Sequence, residues 1–340
     1  MKKLFYLLSV MLFTFSLISC DEILGNYDNP VSGGTSSSDD SEIIVFKDSY
    51  VEGLLAQYFD KNNDYKISMA EAKSVVDFQN IFKENEHITS FDELQYFTRL
   101  KFINKEAFKG CINLQSITIP GSVETLEKKT FENCFNLENV TLQEGLKKLS
   151  EMTFYGCRKL KKLIIPASVN EIDKNFLYYS NSYLNVIVVE KGNNIYDSRE
   201  DCNCIIETAS NKIIKGSSNS LIPSSIKIIG KDAFQDVKGL SNLIIPEGIE
   251  IIEENAFYNT DLSEITIPLS VVKIGSNSFG IYGTLTKVTM QNPIPPTIDL
   301  YCFGDLSKDN FSIYVPSGSV DAYKTASYWS DYAKYIKAIE

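Results

Sequence analysis

Three cysteines recur at a fixed interval in this chain: Cys111, Cys134 and Cys157 follow one another at steps of 23 residues. Evenly spaced thiols could ligate a metal ion, form disulfides, or occupy one packing position of a repeated structure. Two further cysteines, Cys202 and Cys204, form a C-x-C pair without the second pair that a zinc site would need. The spacing alone leaves these interpretations open, and the organisation of the chain must decide between them.

A second set of candidate ligands lies in residues 60–71, DKNNDYKISMAE. Oxygen donors occur there at the spacing of an EF-hand calcium loop, namely Asp60, Asn62, Asp64, Lys66 through its carbonyl, Ser68 and Glu71. Tyr65 stands where glycine is usual, so the backbone must accept a positive φ at a residue with a side chain. The sequence predicts a Ca²⁺ site; the alternative is a degenerate helix-loop-helix that only covers the N-terminal edge of the fold.

The composition argues against several classes of function. A formal net charge of −11 is unlike the basic face that nucleic acid requires. The single histidine, His87, cannot build a histidine-rich metal centre, and no G-x-S-x-G or H-E-x-x-H motif occurs. His87 precedes a strand-like run, which favours an ordinary cap residue over a general base. We therefore predict that the protein is not an enzyme.

The first 42 residues predict export and attachment to a membrane. Two lysines precede an apolar run over residues 4–18, which is shorter than a membrane span and typical of a signal peptide. The sequence Leu-Ile-Ser-Cys resembles a bacterial lipoprotein box, which implies that residues 1–19 are removed and that Cys20 carries the lipid; a signal peptide cleaved elsewhere is the alternative. Residues 20–42 are rich in Gly, Ser, Asp and Asn and predict a flexible tether.

An internal repeat runs through most of the chain. Its copies align on a turn position, which is occupied in order by Pro120, Gln143, Pro166, Glu190, Pro223, Pro246, Pro268, Gln291 and Pro316. A leucine usually lies six residues before the turn position, and aliphatic residues lie three residues and one residue before it. After the turn position, aliphatic residues follow at three and six residues, and a phenylalanine follows at ten to twelve residues. Counting back 23 residues gives a degenerate first copy with Phe91, Leu94, Leu100, Ile103 and Phe108.

No single copy can bury this many apolar side chains, so stacked copies must share one continuous core. We predict a repeat solenoid, α+β or mainly β: a right-handed leucine-rich-repeat-like stack of coils of about 23 residues. The predicted domains are a helical EF-hand-like N-terminal cap over 43–90, the solenoid over 91–316 and a C-terminal cap over 317–340.

The repeat decides between the interpretations of the three spaced cysteines. Each lies three residues after the repeat phenylalanine, where later copies have Val237, Thr260 and Tyr282. A metal or disulfide position would not accept valine, whereas a buried thiol behaves as a small apolar group. We predict that Cys111, Cys134 and Cys157 fill a packing position.

These residues carry a family resemblance. The segments CINLQSITIPGSVETLEKKTFENC and GLSNLIIPEGIEIIEENAF resemble the BspA-like leucine-rich repeats of bacterial cell-surface proteins, and YVPSGSVDAYKTASYWSDYAKYIKAIE resembles the cap that ends such arrays. The resemblance extends from about Phe91 to Glu340. It implies a secreted or surface-displayed binding protein, because members of the family are associated with adhesion to host or other bacterial surfaces. It implies no particular ligand.

One copy is longer than the others between Glu190 and Pro223. Its segment DCNCIIETASNKIIKG predicts two strands, 204–207 and 212–215, in a hairpin insertion over about 191–216 that projects from the array. Such an insertion can mark a binding side or be neutral growth.

Residues two before the turn position point away from the predicted core, and in the central copies they are aliphatic. We predict an outward apolar stripe of Ile164, Val188, Leu221 and Ile244, extended by Lys162 and Val186. A contiguous exposed apolar stripe indicates a partner-binding surface. The alternative, which we prefer at the level of sequence, is that the hairpin folds over the stripe and buries it.

The sequence as a whole predicts a non-catalytic, lipid-anchored protein of the bacterial cell envelope, attached to the outer membrane and exposed at the surface. It would bind a protein or a cell-surface or matrix ligand. The alternative is a glycan-binding or nutrient-capture lipoprotein, since nineteen tyrosines permit aromatic sugar platforms. Most aromatic residues, however, occupy repeat positions, which indicates a core role.

Overall fold

The computed structural model describes residues 41–173, 175–180, 182, 184–240, 243–280, 284–304 and 310–340. The predicted signal peptide, Cys20 and most of the predicted tether lie outside these residues. Residues Ser38–Glu340 form one compact unit. Among the residues described, none of the helices combines the length and the apolar character needed to cross a bilayer.

The described residues contain three α-helices and twenty short strands. The helices are α1 (Ser49–Phe59), α2 (Met69–Ser74) and α3 (Val320–Thr325). The strands are β1 (Ser90–Phe91), β2 (Phe102–Ile103), β3 (Ser116–Ile119), β4 (Thr125–Leu126), β5 (Asn139–Leu142), β6 (Lys148–Leu149), β7 (Lys162–Ile165), β8 (Glu171–Ile172), β9 (Val186–Val189), β10 (Tyr196–Asp197), β11 (Cys204–Glu207), β12 (Lys212–Gly216), β13 (Ile228–Ile229), β14 (Ile251–Ile252), β15 (Glu264–Ile267), β16 (Lys273–Ile274), β17 (Lys287–Met290), β18 (Thr297–Ile298), β19 (Ser312–Val315) and β20 (Ile336–Ala338).

The predicted solenoid of stacked parallel strands is confirmed. Each regular coil contributes one strand before the turn position to a first face and a two-residue strand after it to a second face. On the first face Ile117 aligns with Val140, and on the second face Leu126 aligns with Leu149, so equivalent residues of successive copies are direct neighbours. Side chains of a strand alternate between its two sides, which is why the aliphatic residues three and one before the turn position enter the core together.

The core consists of two apolar clusters, which we call the first stack and the second stack. The first stack extends from Ile44 to Ile205, and the second from Cys202 to Ile336. In the first stack the repeat phenylalanines lie ring over ring with centroids 5.1, 5.4 and 5.5 Å apart, in the order Phe82, Phe108, Phe131 and Phe154. In the second stack the spacings are 5.2, 5.2 and 5.9 Å, in the order Phe234, Phe257, Phe279 and Phe303.

Backbone pairing on the first face depends on the residue at the turn position. Where that residue can donate a hydrogen bond, the strands align over four residue pairs, as for β3–β5, β7–β9 and β15–β17. The N–H groups of Gln143, Glu190 and Gln291 donate to Ile119, Ile165 and Ile267 of the preceding copy over 3.1, 2.9 and 3.0 Å. This hydrogen bond joins the turn position of one copy to the last residue of the neighbouring strand.

Proline at the turn position removes that donor. β7, which ends before Pro166, is not paired with β5, and β15, which ends before Pro268, begins a separate sheet. Pro316 and Pro120 reduce the strand pairing but do not abolish it. β17 and β19 keep three residue pairs, and β1 and β3 keep two. The first face is therefore a series of short sheets with seams between them.

The hairpin insertion is part of a sheet, so the prediction that it projects from the array is wrong. β11 and β12 are antiparallel, and β12 pairs in parallel with β13 through Ile213 and Ile229, which makes the hairpin part of the second face. Ile205 and Ile206 are adjacent in sequence and both fully buried. A strand that is apolar on both sides must be enclosed, and this excludes a projecting hairpin.

The N-terminal segment places two short helices against the first coil. Val51 and Leu55 of α1 are fully buried, and α2 begins with a capping box between Ser68 and Glu71. The register of the first copy differs from the prediction: Phe91 aligns with Ile117, 26 residues later instead of 23. A 3₁₀ turn, Asp92–Tyr96, accommodates the additional residues before the second-face strand β2, which aligns with β4 at 23.

The C-terminal segment covers the last coil. β20 adds to β19 in parallel, so the end of the first face is paired. Trp329 is 1% exposed and its Nε1–H donates to the carbonyl of Pro296 over 2.8 Å. Its ring lies 5.8 Å from that of Phe303, the last ring of the second stack. Large aromatic side chains here close the apolar end that an open stack would leave in water.

Candidate functional site

The first face brings four of the six predicted partner-binding residues together. Lys162 aligns with Val186, and Ile164 aligns with Val188, across the β7–β9 pair. Ile164, Val186 and Val188 are half-buried and Lys162 is exposed. Each points to the outer side of a strand whose alternate residues, such as Leu163 and Ile187, are fully buried. These four side chains form one outward patch.

The other two residues, Leu221 and Ile244, lie outside that patch. The N–H of Leu221 donates to the carbonyl of Cys202 over 2.9 Å, so the hairpin segment is its backbone neighbour and β9 is not. Neither residue belongs to a strand. The structure thus divides the predicted stripe into two groups, because the insertion enters the array between the β9 copy and the next.

The hairpin does not cover these residues. Leu221 is 68% exposed and Ile244 is 77% exposed. The preferred interpretation of the sequence, in which the insertion buries the stripe, is therefore wrong, since the insertion contributes its apolar residues to the core instead. Ile244 also lines a cavity of about 620 Å³ together with Pro246, Thr266 and Pro268. This cavity lies at the seam between residues 243–246 and β15.

The predicted calcium loop is held by hydrogen bonds from its own backbone. The Asp60 carboxylate accepts from the N–H groups of Asn63 and Tyr65 over 2.7 and 2.8 Å. Tyr65 has φ 62°, so the sixth position adopts the left-handed conformation that glycine usually provides. The Asp64 carboxylate accepts from the N–H of Lys66 over 2.8 Å. Backbone donors thus fix the orientation of both carboxylates.

Glu71, the last residue of the loop, is 6% exposed. Burial pushes its pKa upward, but hydrogen bonds from the backbone N–H groups of Ser68 and Lys61 outweigh burial and hold the pKa below its ordinary value. Over the described part of the chain, no group of three or more His, Cys, Asp or Glu side chains is arranged to hold a metal ion. The calcium site stays a prediction.

The spaced cysteines are buried and unpaired, as the packing interpretation predicts. Cys111, Cys134 and Cys157 are free thiols with no exposed area. Burial raises the pKa of Cys111 to about 12 and raises the pKa of the other two as well, so the reactive thiolate is disfavoured.

Each of these thiols also donates a hydrogen bond that the sequence did not reveal. The Sγ atoms of Cys111, Cys134 and Cys157 donate to the carbonyls of Phe82, Phe108 and Phe131 over 3.0, 3.0 and 3.2 Å. Ser180 replaces the thiol in the next copy and donates to the carbonyl of Phe154. The thiol therefore links each phenylalanine turn to the turn of the copy before it.

His87, the one histidine, is exposed. Its ring stacks on that of Tyr50 with centroids 4.9 Å apart, at the end of the array that contains α1. A stacked, exposed ring of this kind has a structural explanation in the packing of the His87 segment against the first turn of α1.

The stack of short parallel strands, the repeat phenylalanine columns and the recurring turn position define a leucine-rich-repeat protein. The chain belongs to the BspA type leucine-rich repeat family: the family model matches six copies over residues 79–205 and 214–328, more than half of the chain. The match begins at 79, which agrees with Phe82 being the first ring of the first stack and extends the repeats beyond the predicted start at 91.

Several solved structures resemble this chain at low identity. The pneumococcal vaccine antigen PcpA is 18% identical, with 71% of this chain and 70% of that chain covered and a TM-score of 0.49. A leucine-rich repeat protein from Eubacterium ventriosum is 19% identical, with 64% and 66% covered and a TM-score of 0.47. A leucine rich cell surface protein from Faecalibacterium prausnitzii is 17% identical, with 78% and 82% covered and a TM-score of 0.39. No protein of curated function matched.

Proposed function

We propose that this protein is a non-catalytic binding protein of the bacterial cell surface, attached by a lipid on Cys20, and that it binds a protein partner through its first face. The observation that carries the proposal is the exposure of aliphatic side chains there: Ile244 is 77% and Leu221 is 68% exposed. Exposed aliphatic side chains occur elsewhere on the chain as well, but Leu221 and Ile244 occupy the same repeat position as Ile164 and Val188, two residues before the turn position. Aliphatic side chains that recur at one position of a face can form the apolar centre of a binding surface.

The arrangement of the first face supports this role. The patch of Lys162, Ile164, Val186 and Val188 combines a charged edge with adjacent aliphatic groups, which is the composition of many interfaces. Its strands are fixed by four residue pairs, so the side chains are already ordered before a partner arrives. In the glycan-binding alternative aromatic residues would form the contact surface, but the repeat phenylalanines are buried in the two stacks, and the exposed Tyr179 and Tyr301 follow the second-face strands β8 and β18.

The proposal is tested by a double substitution on the face. Leu221→Asp with Ile244→Asp places two charges in the exposed apolar area. The matched control is Val45→Asp with Val76→Asp, because Val45 and Val76 are 87% and 51% exposed in the N-terminal segment. Both variants should keep the melting temperature of the parent. Capture of host matrix or surface proteins by the purified chain should fall at least about tenfold for the first variant only.

Two results would contradict the proposal. One is equal capture by both variants and the parent, which would show that this face is not used. The other is selective binding on a glycan array with no protein captured, which would favour the glycan-binding alternative.

The proposed location has its own test. Metabolic labelling with a palmitate analogue should mark the parent and not Cys20→Ala, and protease treatment of intact cells should remove the repeat region. Labelling of both chains equally would exclude Cys20 as the lipid site, and full protection from protease would exclude surface exposure.

We further propose that residues 60–71 bind Ca²⁺ through Asp60, Asn62, Asp64, Lys66, Ser68 and Glu71. The left-handed Tyr65 and the backbone-oriented carboxylates of Asp60 and Asp64 support this proposal. Calorimetric titration with Ca²⁺ and Mg²⁺ should give saturable heat with Ca²⁺ for the parent and none for Asp60→Asn. An absence of heat with the parent would overturn the proposal.

A further inference from the structure

The segment that leads into β7 is strongly basic. Residues 157–162 read CRKLKK and contain Arg158, Lys159, Lys161 and Lys162, in a chain with a net charge of −11. All four side chains are exposed. Among the described residues, Arg158, Lys159 and Lys162 have no acidic partner within 4.0 Å, and Lys161 lies 3.8 Å from Glu138. Four adjacent cations with a single acidic partner, Glu138, give this surface a positive potential.

Other lysines of the first stack are compensated by acids of the neighbouring copy. Lys147 pairs with Glu124 over 2.7 Å, Lys148 with Glu171 over 2.5 Å and Lys109 with Glu132 over 3.0 Å. Lys161 follows this pattern through Glu138, whereas Arg158, Lys159 and Lys162 have no such acid among the described residues. An excess of positive charge that the array does not neutralise is available to a ligand.

The basic segment borders the seam between β5 and β7. In the preceding copy the N–H of Glu138 donates to the carbonyl of Gln115 over 3.0 Å, and in the following copy the N–H of Asn185 donates to the carbonyl of Lys161 over 2.8 Å. The described residues show no equivalent bond from Lys161 to Glu138, and Pro166 removes the donor at the other end of the strand.

A groove occupies this place. It has a volume of about 750 Å³ and spans three copies, with Phe135 and Glu138 from the first, Arg158 and Lys161 from the second and Asn185 from the third. The volume falls within the range of sites that enclose a ligand of several residues or a small molecule.

One aromatic side chain lines the groove. Phe135 is 38% exposed, and the guanidinium carbon of Arg158 lies 5.3 Å from its ring centroid. The contact places the guanidinium over the ring, and because Arg158 has no acidic partner among the described residues, its N–H groups are available to donate in pairs to a carboxylate. Phe135 keeps 38% exposure beside this contact, so part of its ring is available to an apolar side chain.

We propose that this groove binds an acidic polypeptide segment, with carboxylates on Arg158 and Lys159 and an apolar side chain against Phe135. Charge complementarity selects the occupant, because carboxylates match the uncompensated Arg158 and Lys159. The outward Ile164 of β7 and Val188 of β9, beyond the groove, extend the apolar contact. The inference deepens the proposed function and rests on it, since it states which kind of segment the protein partner presents.

The test uses a labelled poly(Glu,Tyr) copolymer, which carries both carboxylates and aromatic rings, and measures its binding to the full folded chain by fluorescence anisotropy. Arg158→Glu with Lys159→Glu should weaken binding at least about tenfold, and added salt should weaken binding to the parent. The control is Lys105→Glu with Lys273→Glu, which changes the net charge equally at exposed positions outside the groove. Circular dichroism checks that both variants fold.

Each other result overturns the inference. Equal loss in both variants would indicate a general charge effect, and no binding by the parent would remove the site. Displacement by heparin at lower concentration than by the copolymer would show that the groove prefers an acidic glycan. Failure of this inference and failure of the proposed function give different results. Leu221→Asp with Ile244→Asp should leave copolymer binding unchanged. A captured protein partner that binds Arg158→Glu with Lys159→Glu as well as it binds the parent would contradict this inference alone.

Discussion

Both stacks contain a column of phenylalanine rings, but the residues beside the rings differ between the two stacks. In both, the repeat phenylalanines lie parallel at similar spacing, with interplanar angles of 6–16°. Beside the ring, the first stack has thiols that donate hydrogen bonds to carbonyls of the preceding copy. At this position the second stack has Val237, whose side chain cannot donate, and Thr260, which donates to the carbonyl of Phe257 in its own copy. The comparison shows that the two stacks share the ring column and differ at the position beside it.

The stacks meet where the ring column is interrupted. Phe176 is buried, but among the described residues it has no stacked ring neighbour, and the next column begins at Phe234. Between them lie the hairpin and a buried lysine, Lys215, whose Nζ donates to the carbonyl of Asp232 over 2.8 Å. The junction therefore contains polar and charged groups where regular coils have aromatic contacts.

Removal of one ring from each column gives the largest expected effect. Phe131→Ala and Phe257→Ala should each lower the free energy of unfolding by about 3–5 kcal/mol, because each leaves a cavity between two rings. Since the clusters are separate, hydrogen exchange should accelerate mainly in the first stack for Phe131→Ala and mainly in the second for Phe257→Ala. Uniform acceleration along the chain in both variants would show that the stacks unfold as one unit.

Titration of the junction lysine gives an effect that depends on pH. Burial lowers the pKa of Lys215 to about 8, although Asp232 and Asp236 attract its charge. Between pH 8 and the ordinary lysine pKa the folded state therefore holds fewer protons than the unfolded state. The unfolding free energy of the parent relative to Lys215→Met should rise with pH in this window, by at most about 1.4 kcal/mol per pH unit. Denaturant unfolding of both proteins measures the difference, and parallel pH profiles would contradict it.

Exchange of the turn residue tests the origin of the seams. Gln143→Pro removes the N–H that donates to Ile119 and should lower the free energy of unfolding by about 1–3 kcal/mol, because the buried carbonyl loses its partner. Amide protection along β5 should fall as well. Pro166→Gln is the reciprocal variant and should increase protection along β7; unchanged protection in both would separate the seams from proline.

The smallest effect concerns the thiol position. Cys134→Val should cost about 1 kcal/mol, since the carbonyl of Phe108 loses a hydrogen bond, while Cys134→Ser keeps a donor, as Ser180 does in its copy. Val237→Cys is the matched change in the second stack and should alter stability by less than about 0.5 kcal/mol. Equal stability of the parent and Cys134→Val would assign the thiol to packing alone.

The repeat made the fold predictable from sequence. Each copy repeats the same alternation of apolar and polar residues. The burial of Ile117, Leu163 and Ile187 therefore follows from the repeat period and the turn position, without knowledge of the rest of the structure. The burial of the spaced cysteines followed in the same way, because Val237 in the same position excluded metal and disulfide. The first copy was less predictable, since the register of Phe91 depends on a 3₁₀ turn that has no repeated counterpart.

The candidate site was less predictable because it depends on where the repeat fails. The hairpin separates Leu221 from the β7–β9 patch. The adjacent residues Ile205 and Ile206 of the hairpin are both buried, and this apolar pair was the signal in the sequence that the insertion enters a sheet. The groove at Phe135 depends on a missing backbone bond between β5 and β7. Proline at position 166 indicated it, but only the comparison with Gln143 and Glu190 shows what a proline there removes.

Proline at the turn position also bears on how such an array changes its length. A coil that ends in proline offers no N–H to the coil before it, so the deletion or duplication of a neighbour at that boundary leaves no orphaned donor to be satisfied. The longest copy ends at Pro223, and the two copies after it end at Pro246 and Pro268. Among the described residues, strand pairing across these copies continues on the second face, through β13, β14 and β16. A gained or lost copy would therefore have to restore strand pairing on that face.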